Sequence, residues 1–476
     1  MRGILSYGAY LPYRRLERSA IAEVAGTGGG KGTRTVAAYD EDTTTLGVEA
    51  ARRALRVTAA TRPRALWFAT VAPAYVDKTN ATAIHAALRL DPEAIAADFG
   101  CAVRSGVAAL RIALGGVGSE GPALVVAADI RTGLPGSADE ANGGDGASAL
   151  LIGTDADGPV LAEYIGGASA TAEFLDRWRT PGSSRSRQWE EKFGEARYVP
   201  LGEQAWFDAL KVAGLAPDQV DRVVVTSTHA RAAARLAKRL GVGGRLVDDL
   251  AGAVGHTGAA HPGLLLGHAL DTAEAGRVVA LVSLADGADV LLFRTTDALA
   301  AHRISAAERG IRNVEEQAAV GGNLPYGKFL SWRGMLDVEP PRRPEPARPS
   351  ASASGRNDAW KFAFVGSRDR STGAIHLPPA RVSMVGGAVD DMEPVPMADV
   401  PGTIVTFTVD KLAYSQSPPV VFAVVDFDGG GRLPTELTDV DATEVAIGAR
   451  VEMTFRRLYT ADGIHNYFWK ARLIRG

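Results

Sequence analysis

Two Asp-Gly-Ala turns that run directly into apolar strands place the strongest constraint on how this chain folds: Asp145-Gly-Ala-Ser-Ala-Leu-Leu-Ile152 and Asp286-Gly-Ala-Asp-Val-Leu-Leu-Phe293. Each closes a longer run of the same layout. In the first run the apolar stretch Ala65–Thr70 leads through a helical segment to Asp98, then to Gly106-Val-Ala-Ala-Leu. In the second, Arg222–Thr226 leads through a helical segment to Asp249, then to Gly258-Ala-Ala and an apolar helix. Repetition at this scale reads as one α/β unit built twice. Two such units face each other across a shared cleft, where ligands of α/β sheets tend to bind.

A chain of 476 residues is long enough for two or three domains, each with its own core. A net charge of −3 provides no overall basic field to recruit nucleic acid. No apolar run approaches the roughly 18–20 residues of a membrane span, and Gly263–Leu270 is far too short. The opening Met1-Arg-Gly-Ile-Leu-Ser-Tyr-Gly lacks the apolar core of a signal peptide, so a cytoplasmic, soluble protein is expected. A single cysteine excludes an intrachain disulfide and a multi-cysteine metal site.

Up to about residue 300, strand and Ala-rich helix signals alternate; Thr43–Leu55, for example, carries helical apolar spacing after an Asp/Thr-rich start. Alternation of this kind predicts sheets flanked by helices in a layered α/β core. Glu173–Pro200, with Trp178, Trp189 and many charges, reads as an insertion: a lid, a dimer contact or a plain surface excursion. Gly28-Gly-Gly-Lys-Gly32 reads as a flexible loop rather than a phosphate cradle, because it follows a helix and not a strand. Glu339–Ser354 is Pro-rich and charged, a semi-stiff linker. Beyond it the texture is all-β, and about five strands in roughly 90 residues suit a small closed barrel such as an OB-fold. Arg456-Arg457-Leu-Tyr459 and Tyr467-Phe-Trp-Lys470 are too sparse a basic–aromatic stripe to predict nucleic-acid binding.

Gly3-Ile-Leu-Ser-Tyr-Gly-Ala-Tyr-Leu-Pro12, Asp40-Glu-Asp-Thr-Thr-Thr-Leu-Gly-Val-Glu-Ala-Ala-Arg52 and the two Asp-Gly-Ala strands resemble the 3-hydroxy-3-methylglutaryl-CoA synthase branch of the thiolase superfamily, particularly its archaeal-type members. The C-terminal 120 or so residues resemble the acyl-CoA-associated OB-fold domain that accompanies thiolase-like proteins. The resemblance implies a duplicated, layered α/β/α/β/α core over 1–335, a linker over 336–358, a zinc-ribbon-like segment over 359–398 and an OB-fold over 399–476. It also implies a CoA- or carrier-bound acyl thioester as substrate, a homodimer, and a thiolase-like protein as a further partner.

The family's chemistry uses a Cys nucleophile at a helix N-terminus, a His, an Asn and a Glu. None stands where the resemblance asks for it. With Asp98 and Gly106 in register, the nucleophile position is Val103, and Cys101 lies two residues earlier, where a buried structural thiol is expected. The His position is Thr226, with His229 three residues on; the Asn position is His256; the Glu position is Val71. His256 and His229 are therefore the candidate catalytic groups, His256 to stabilise the thioester oxygen or shuttle a proton near neutrality and His229 to assist, with Thr226 and Cys101 as further polar lining. His261, His268 and His85 are expected to be structural. In the ribbon segment the four metal-ligand positions read Asp369, Thr372, Ser383 and Gly386, a set that excludes zinc. The expected activity is carbon–carbon bond making or breaking on a thioester, of aldol, retro-aldol or Claisen type, without a Cys acyl-enzyme. A Cys101-dependent acyltransferase and a non-catalytic scaffold for a thiolase are the alternatives.

Overall fold

The structure, a computed structural model, describes residues 1–58 and 61–475. Its contacts divide it into two units. The first takes in 1–37, 46–82 and 90–330; the second comprises Ala38–Thr45, Ala83–Arg89 and the chain from Ser331 onward.

In the first unit the strands run, in spatial order, Arg222–Ser227, Val278–Leu284, Ala288–Thr295, Ala162–Ala170, Arg2–Tyr10, Gly146–Thr154, Ala123–Asp129, Ala65–Thr70 and Ile95–Gly100. The order is symmetric about the junction of Arg2–Tyr10 with Ala162–Ala170, where only Gly3 and Ile4 pair with Glu163 and Ala162. On each side the outer strands are parallel and the inner ones antiparallel. The counterpart of Ile95–Gly100 in the second half has shrunk to a single bridge between Val223 and Leu246.

The strand Val278–Leu284 is buried at every position, as a strand covered on both faces must be. Two helices, Ser105–Gly116 and His261–Thr272, supply much of that cover. They pack against each other, and the second lies on strands of both halves. Their near-continuous apolar sequence follows from this position, which buries His261–Thr272 almost throughout and leaves only part of Ser105–Gly116, around Ile112 and Gly115, to water. Where the two halves meet, clearance vanishes: a Cβ on Gly106 would fall 2.2 Å from the carbonyl oxygen of Ala259.

The two Asp-Gly-Ala turns have diverged. Asp145 is fully buried and accepts hydrogen bonds from the backbone of Ala37 (2.7 Å) and Arg131 (2.8 Å) and from the Arg34 guanidinium (3.2 Å). Asp286 adopts a left-handed backbone (φ 47°), and its carbonyl accepts from Arg104 at 2.8 Å. The Gly28–Gly32 loop does not stand free: a Cβ on Gly32 would fall 2.1 Å from the carbonyl oxygen of Gly252.

The second unit contains a five-stranded sheet ordered Arg432–Glu436, Val420–Phe427, Gly402–Asp410, Arg450–Ala461 and Ile464–Leu473. A bridge from Leu437 to Ala471 closes it into a barrel. Arg456, Lys470, Trp469 and Tyr467 are all buried, so the basic–aromatic residues of the sequence form no exposed stripe. Arg456 pairs with Glu41 (2.9 Å) and Asp439 (2.7 Å), and Lys470 with Asp40 (3.1 Å) and Glu436 (2.8 Å). These pairs explain why Ala38–Thr45 groups with the barrel rather than with the contiguous 1–335 expected from sequence. The Pro-rich linker carries one short helix, Ala351–Arg356, with no buried residue.

Between linker and barrel, Val365–Asp369, Ile375–His376 and Met392–Pro396 form a small sheet. The ribbon positions converge there. Asp369 is buried and accepts from Thr372 Oγ1 (2.7 Å), Ser371 Oγ (2.7 Å) and the Ser371 amide (2.8 Å). Hydrogen bonds from Ser383, Thr372 and Ser371 hold its carboxyl well below the usual range. Among the described residues no group of three or more His, Cys, Asp or Glu is arranged to hold a metal. A carboxylate thus joins the two knuckles by hydrogen bonds. Since its pKa is depressed in the fold, its contribution is present above about pH 4 and is lost as pH falls below that. Asp369→Ala is expected to lower the melting temperature at pH 7, whereas a strong chelator leaves the wild type unchanged. A melt that shifts with chelator would place a metal in the knuckle.

Candidate functional site

The buried carboxylate of Asp129, the last residue of its strand, organises the place where the two halves touch. It accepts from Thr70 Oγ1 (3.0 Å), the Val71 amide (2.7 Å) and the Ala259 amide (2.6 Å). Burial outweighs these bonds and the neighbouring Arg131, so its pKa is raised. The loop before helix His261–Thr272 is fitted to this carboxylate. Gly258 sits at φ 59°, and a Cβ there would meet Asp129 Oδ2 at 2.0 Å, so glycine is required.

That loop carries His256. Its amide donates to the Asn142 carbonyl (2.8 Å) and its carbonyl accepts from the Gly144 amide (3.1 Å), which fixes the backbone between the halves. Nδ1 accepts from the Gly258 amide at 3.1 Å, which assigns the proton to Nε2. Nε2 lies 3.3 Å from Thr226 Oγ1. The His261 ring lies 4.2 Å away, centroid to centroid, and is itself buried. Burial drives the pKa of His256 well below that of a free imidazole, with His261, Arg131 and Arg177 adding to the effect. Burial alone brings His261 to about 3. Of the two roles expected of His256, stabilising a thioester oxygen or shuttling a proton, a lowered pKa with the proton on Nε2 suits the first.

His256, His261, Thr226 and His229 all line one cavity of about 550 Å³, together with Arg18, Arg177, Asp139, Glu191 and Asp249. His229 has other duties. Its Nδ1 caps helix Ala230–Arg239 by accepting from the Ala232 amide (3.1 Å), and its Nε2 is 2.8 Å from the Glu191 carbonyl. With both nitrogens engaged, it holds two helices together and has no lone pair left for a substrate. Beside it, a Cβ on Gly194 would strike both Asp176 Oδ1 (2.2 Å) and His229 Cδ2 (2.8 Å). The insertion expected over Glu173–Pro200 is a two-stranded hairpin, Arg177–Trp178 with Arg187–Gln188, followed by the start of helix Glu191–Ala213. It supplies Arg177, Gln188 and Glu191 to the cavity wall.

Cys101 is exposed, one residue beyond the strand Ile95–Gly100, in a left-handed backbone conformation (φ 79°). The expectation of a buried thiol is therefore wrong, because the strand has ended and the side chain faces solvent. Cys101 is not among the residues that line the cavity. Val103 is half-buried two residues before helix Ser105–Gly116, and Val71 is buried with its amide on Asp129. His261 was missed in sequence because the start of a helix ordinarily reads as structural. Its five-residue spacing from His256 was the available signal, since the 3-10 turn Gly258–Ala260 between them folds the two rings together.

Since a depressed imidazole pKa keeps the ring neutral above the folded value, both rings should remain neutral at about pH 6.5, where a free imidazole is half protonated. Nitrogen-15 NMR of labelled histidine is expected to show His256 as a neutral Nε2–H tautomer there. A titration centred near 6.5 would contradict it.

Comparison with known proteins agrees with this architecture. The hydroxymethylglutaryl-CoA synthase of Pyrococcus furiosus is 32% identical over 294 residues, covering 60% of this chain and 83% of the relative. That of Methanopyrus kandleri is 29% identical over 350 residues, covering 70% and 97%. Among solved structures, MvaS in complex with 3-hydroxy-3-methylglutaryl coenzyme A superposes with a TM-score of 0.58 at 20% identity, covering 73% of this chain and 94% of that one. The 3-oxoacyl-(acyl carrier protein) synthase III of Pseudomonas aeruginosa PAO1 gives 0.55 at 22% identity, covering 62% and 98%. Residues 394–456 match the family model described as the ChsH2 C-terminal OB-fold domain. The core is thus shared with one kind of protein and the OB-fold matches a separate family model: the chain belongs to the hydroxymethylglutaryl-CoA synthase family of the thiolase superfamily, with an OB-fold at its C-terminal end.

Proposed function

We propose that this chain makes or breaks a carbon–carbon bond on a CoA- or carrier-bound acyl thioester, by aldol, retro-aldol or Claisen-type chemistry, without a Cys acyl-enzyme. The observation that carries this reading is His256, a neutral imidazole whose Nε2–H faces the cavity wall at Thr226. A fixed N–H donor in a water-poor site stabilises the negative charge that develops on a thioester oxygen as an enolate forms. Aldol-type steps need that donor and an acid/base group to take and return the proton that moves between carbon and oxygen, but no sulfur nucleophile. Val103 at the nucleophile position and an exposed Cys101 outside the cavity agree with the same chemistry. Among the described residues the Nε2–H of His256 meets only Thr226 Oγ1, a long 3.3 Å contact on the cavity wall that a substrate oxygen would replace, whereas both ring nitrogens of His229 are committed to backbone groups and act through helix packing.

A homodimer is part of this proposal. The edge strand Ile95–Gly100 has an exposed face, with Ile95 57% accessible, and exposed strand edges invite pairing with a second copy. Sedimentation distinguishes such a pair from a single 49.8 kDa chain.

The rival reading, a scaffold that leaves catalysis to a thiolase-like partner, rests on the apolar Val103 and Val71 at two positions the family uses for chemistry. Turnover of a panel of 3-hydroxyacyl-CoA substrates by the purified chain separates the two. His256→Ala is expected to lower the turnover number by about 10²-fold or more, while Cys101→Ser leaves it near wild type. Intact-protein mass after exposure to acyl-CoA is expected to show no adduct. Undiminished turnover in His256→Ala, or an acyl adduct on Cys101, would overturn the reading; no turnover by the isolated chain would favour the scaffold.

A further inference from the structure

The cavity wall carries a second imidazole donor, and its proton is unspent. His261, the first residue of helix His261–Thr272, accepts on Nδ1 from the Thr257 amide at 3.3 Å, much as His256 accepts from Gly258. Burial, which brings its pKa to about 3, leaves the ring neutral, so its one proton sits on Nε2. Among the described residues that Nε2–H has no hydrogen-bond partner, and its nitrogen is not sealed in the interior. The ring lines the main cavity. A donor in so dry a place is costly until an acceptor arrives. It also stands at the N-terminal end of a 12-residue helix, where the helix dipole favours a negative oxygen.

The His256 and His261 rings lie 4.2 Å apart with their planes inclined by 33°. An N–H bond lies in the plane of its ring. Planes this close to parallel therefore direct the two donors to neighbouring oxygens rather than to one. Aldol chemistry presents such a pair: the thioester oxygen, charged in the enolate, and the oxygen on the third carbon, charged once the carbon–carbon bond has formed.

We infer that His261 is a second catalytic donor, whose Nε2–H holds the oxygen on the third carbon of the acyl chain while His256 holds the thioester oxygen. This rests on the thioester reading above and supplies a group for the oxygen that reading leaves unheld. In the bond-making direction the enolate carbon attacks the acceptor carbonyl carbon, and the carbonyl π pair moves onto its oxygen. That alkoxide, held by His261, takes up the proton released when the enolate formed. In reverse the hydroxyl gives up its proton, the carbon–carbon bond breaks, and its electron pair returns to the enolate at His256. A neutral donor serves both directions, since it parts with no proton of its own.

The test uses the full chain and acetoacetyl-CoA carrying carbon-13 at the third carbon, read by vibrational difference spectroscopy. The keto band is expected at lower frequency in the wild type and back at its solution value in His261→Leu. His261→Gln, whose amide nitrogen reaches about as far as Nε2, is expected to keep most of the shift. With the label moved to the first carbon, the thioester band is expected to stay shifted in His261→Leu. The turnover number of that variant on 3-hydroxyacyl-CoA is expected to fall by about 10²-fold, with part recovered in His261→Gln. A keto band unshifted in the wild type, while the thioester band moves, overturns this inference alone and needs no variant to fold. A keto shift that survives His261→Leu, or an unchanged turnover number in that variant, also overturns it. Two unshifted bands, or no binding of the probe, bring down the thioester reading and this inference with it.

Discussion

The structure turns on one buried carboxylate. Asp129 ends a strand of the first half and reaches across to the Ala259 amide of the second, while also holding Thr70 and Val71 at the end of the neighbouring strand. Hydrogen bonds to a charged group are worth about 1.5–3 kcal/mol each. Even three of them do not restore the ordinary acidity of this carboxyl, which shows how dry the junction is. Gly258 is required because the carboxylate occupies the space a side chain would need, and Gly106 because the Ala259 carbonyl does. The register of the two halves, and hence the position of the His256 loop, is set at this contact.

From that placement the character of the site follows. A carboxylate near an imidazole ordinarily raises its pKa, but the Asp129 oxygens are turned to amides and a hydroxyl rather than to His256. The ring meets instead a second buried imidazole and two guanidinium groups, and every one of those neighbours disfavours a positive charge. The outcome is a donor rather than a base. On the proposed reading Val103 and Val71 fill the positions that would supply sulfur and carboxylate chemistry, and charge stabilisation by fixed dipoles remains. The second carboxylate, Asp145, performs a parallel service, holding the backbone of Arg131 beside the same cavity.

The fold was legible because it is written twice. Apolar strands following Asp-Gly-Ala turns, and two central helices without a polar face, leave few arrangements other than paired sheets around a shared helical layer. The closed barrel was legible for the same reason, from alternating strands between Gly, Asp and Pro turns. The site was legible in part. Thr226, His229 and His256 do come to one cavity, yet their roles depended on hydrogen bonds that spacing does not reveal. His229 precedes an Ala-rich helix and spends its ring as a cap, and Cys101 faces solvent because its strand stops one residue earlier. The buried Arg456 and Lys470 were hidden likewise, because their partners Asp40 and Glu41 lie about 400 residues away in sequence.

The central claim, that a neutral His256 N–H polarises a thioester with no thiol taking part, is tested most directly by the carbonyl itself. Vibrational difference spectroscopy of a bound acyl-CoA with carbon-13 at the thioester carbonyl reports the hydrogen bond to its oxygen. A neutral donor requires the stretch to move to lower frequency in the wild type and back to its solution value in His256→Ala. A carbonyl band unshifted in the wild type, or one replaced by that of an enzyme-bound thioester, would contradict the claim.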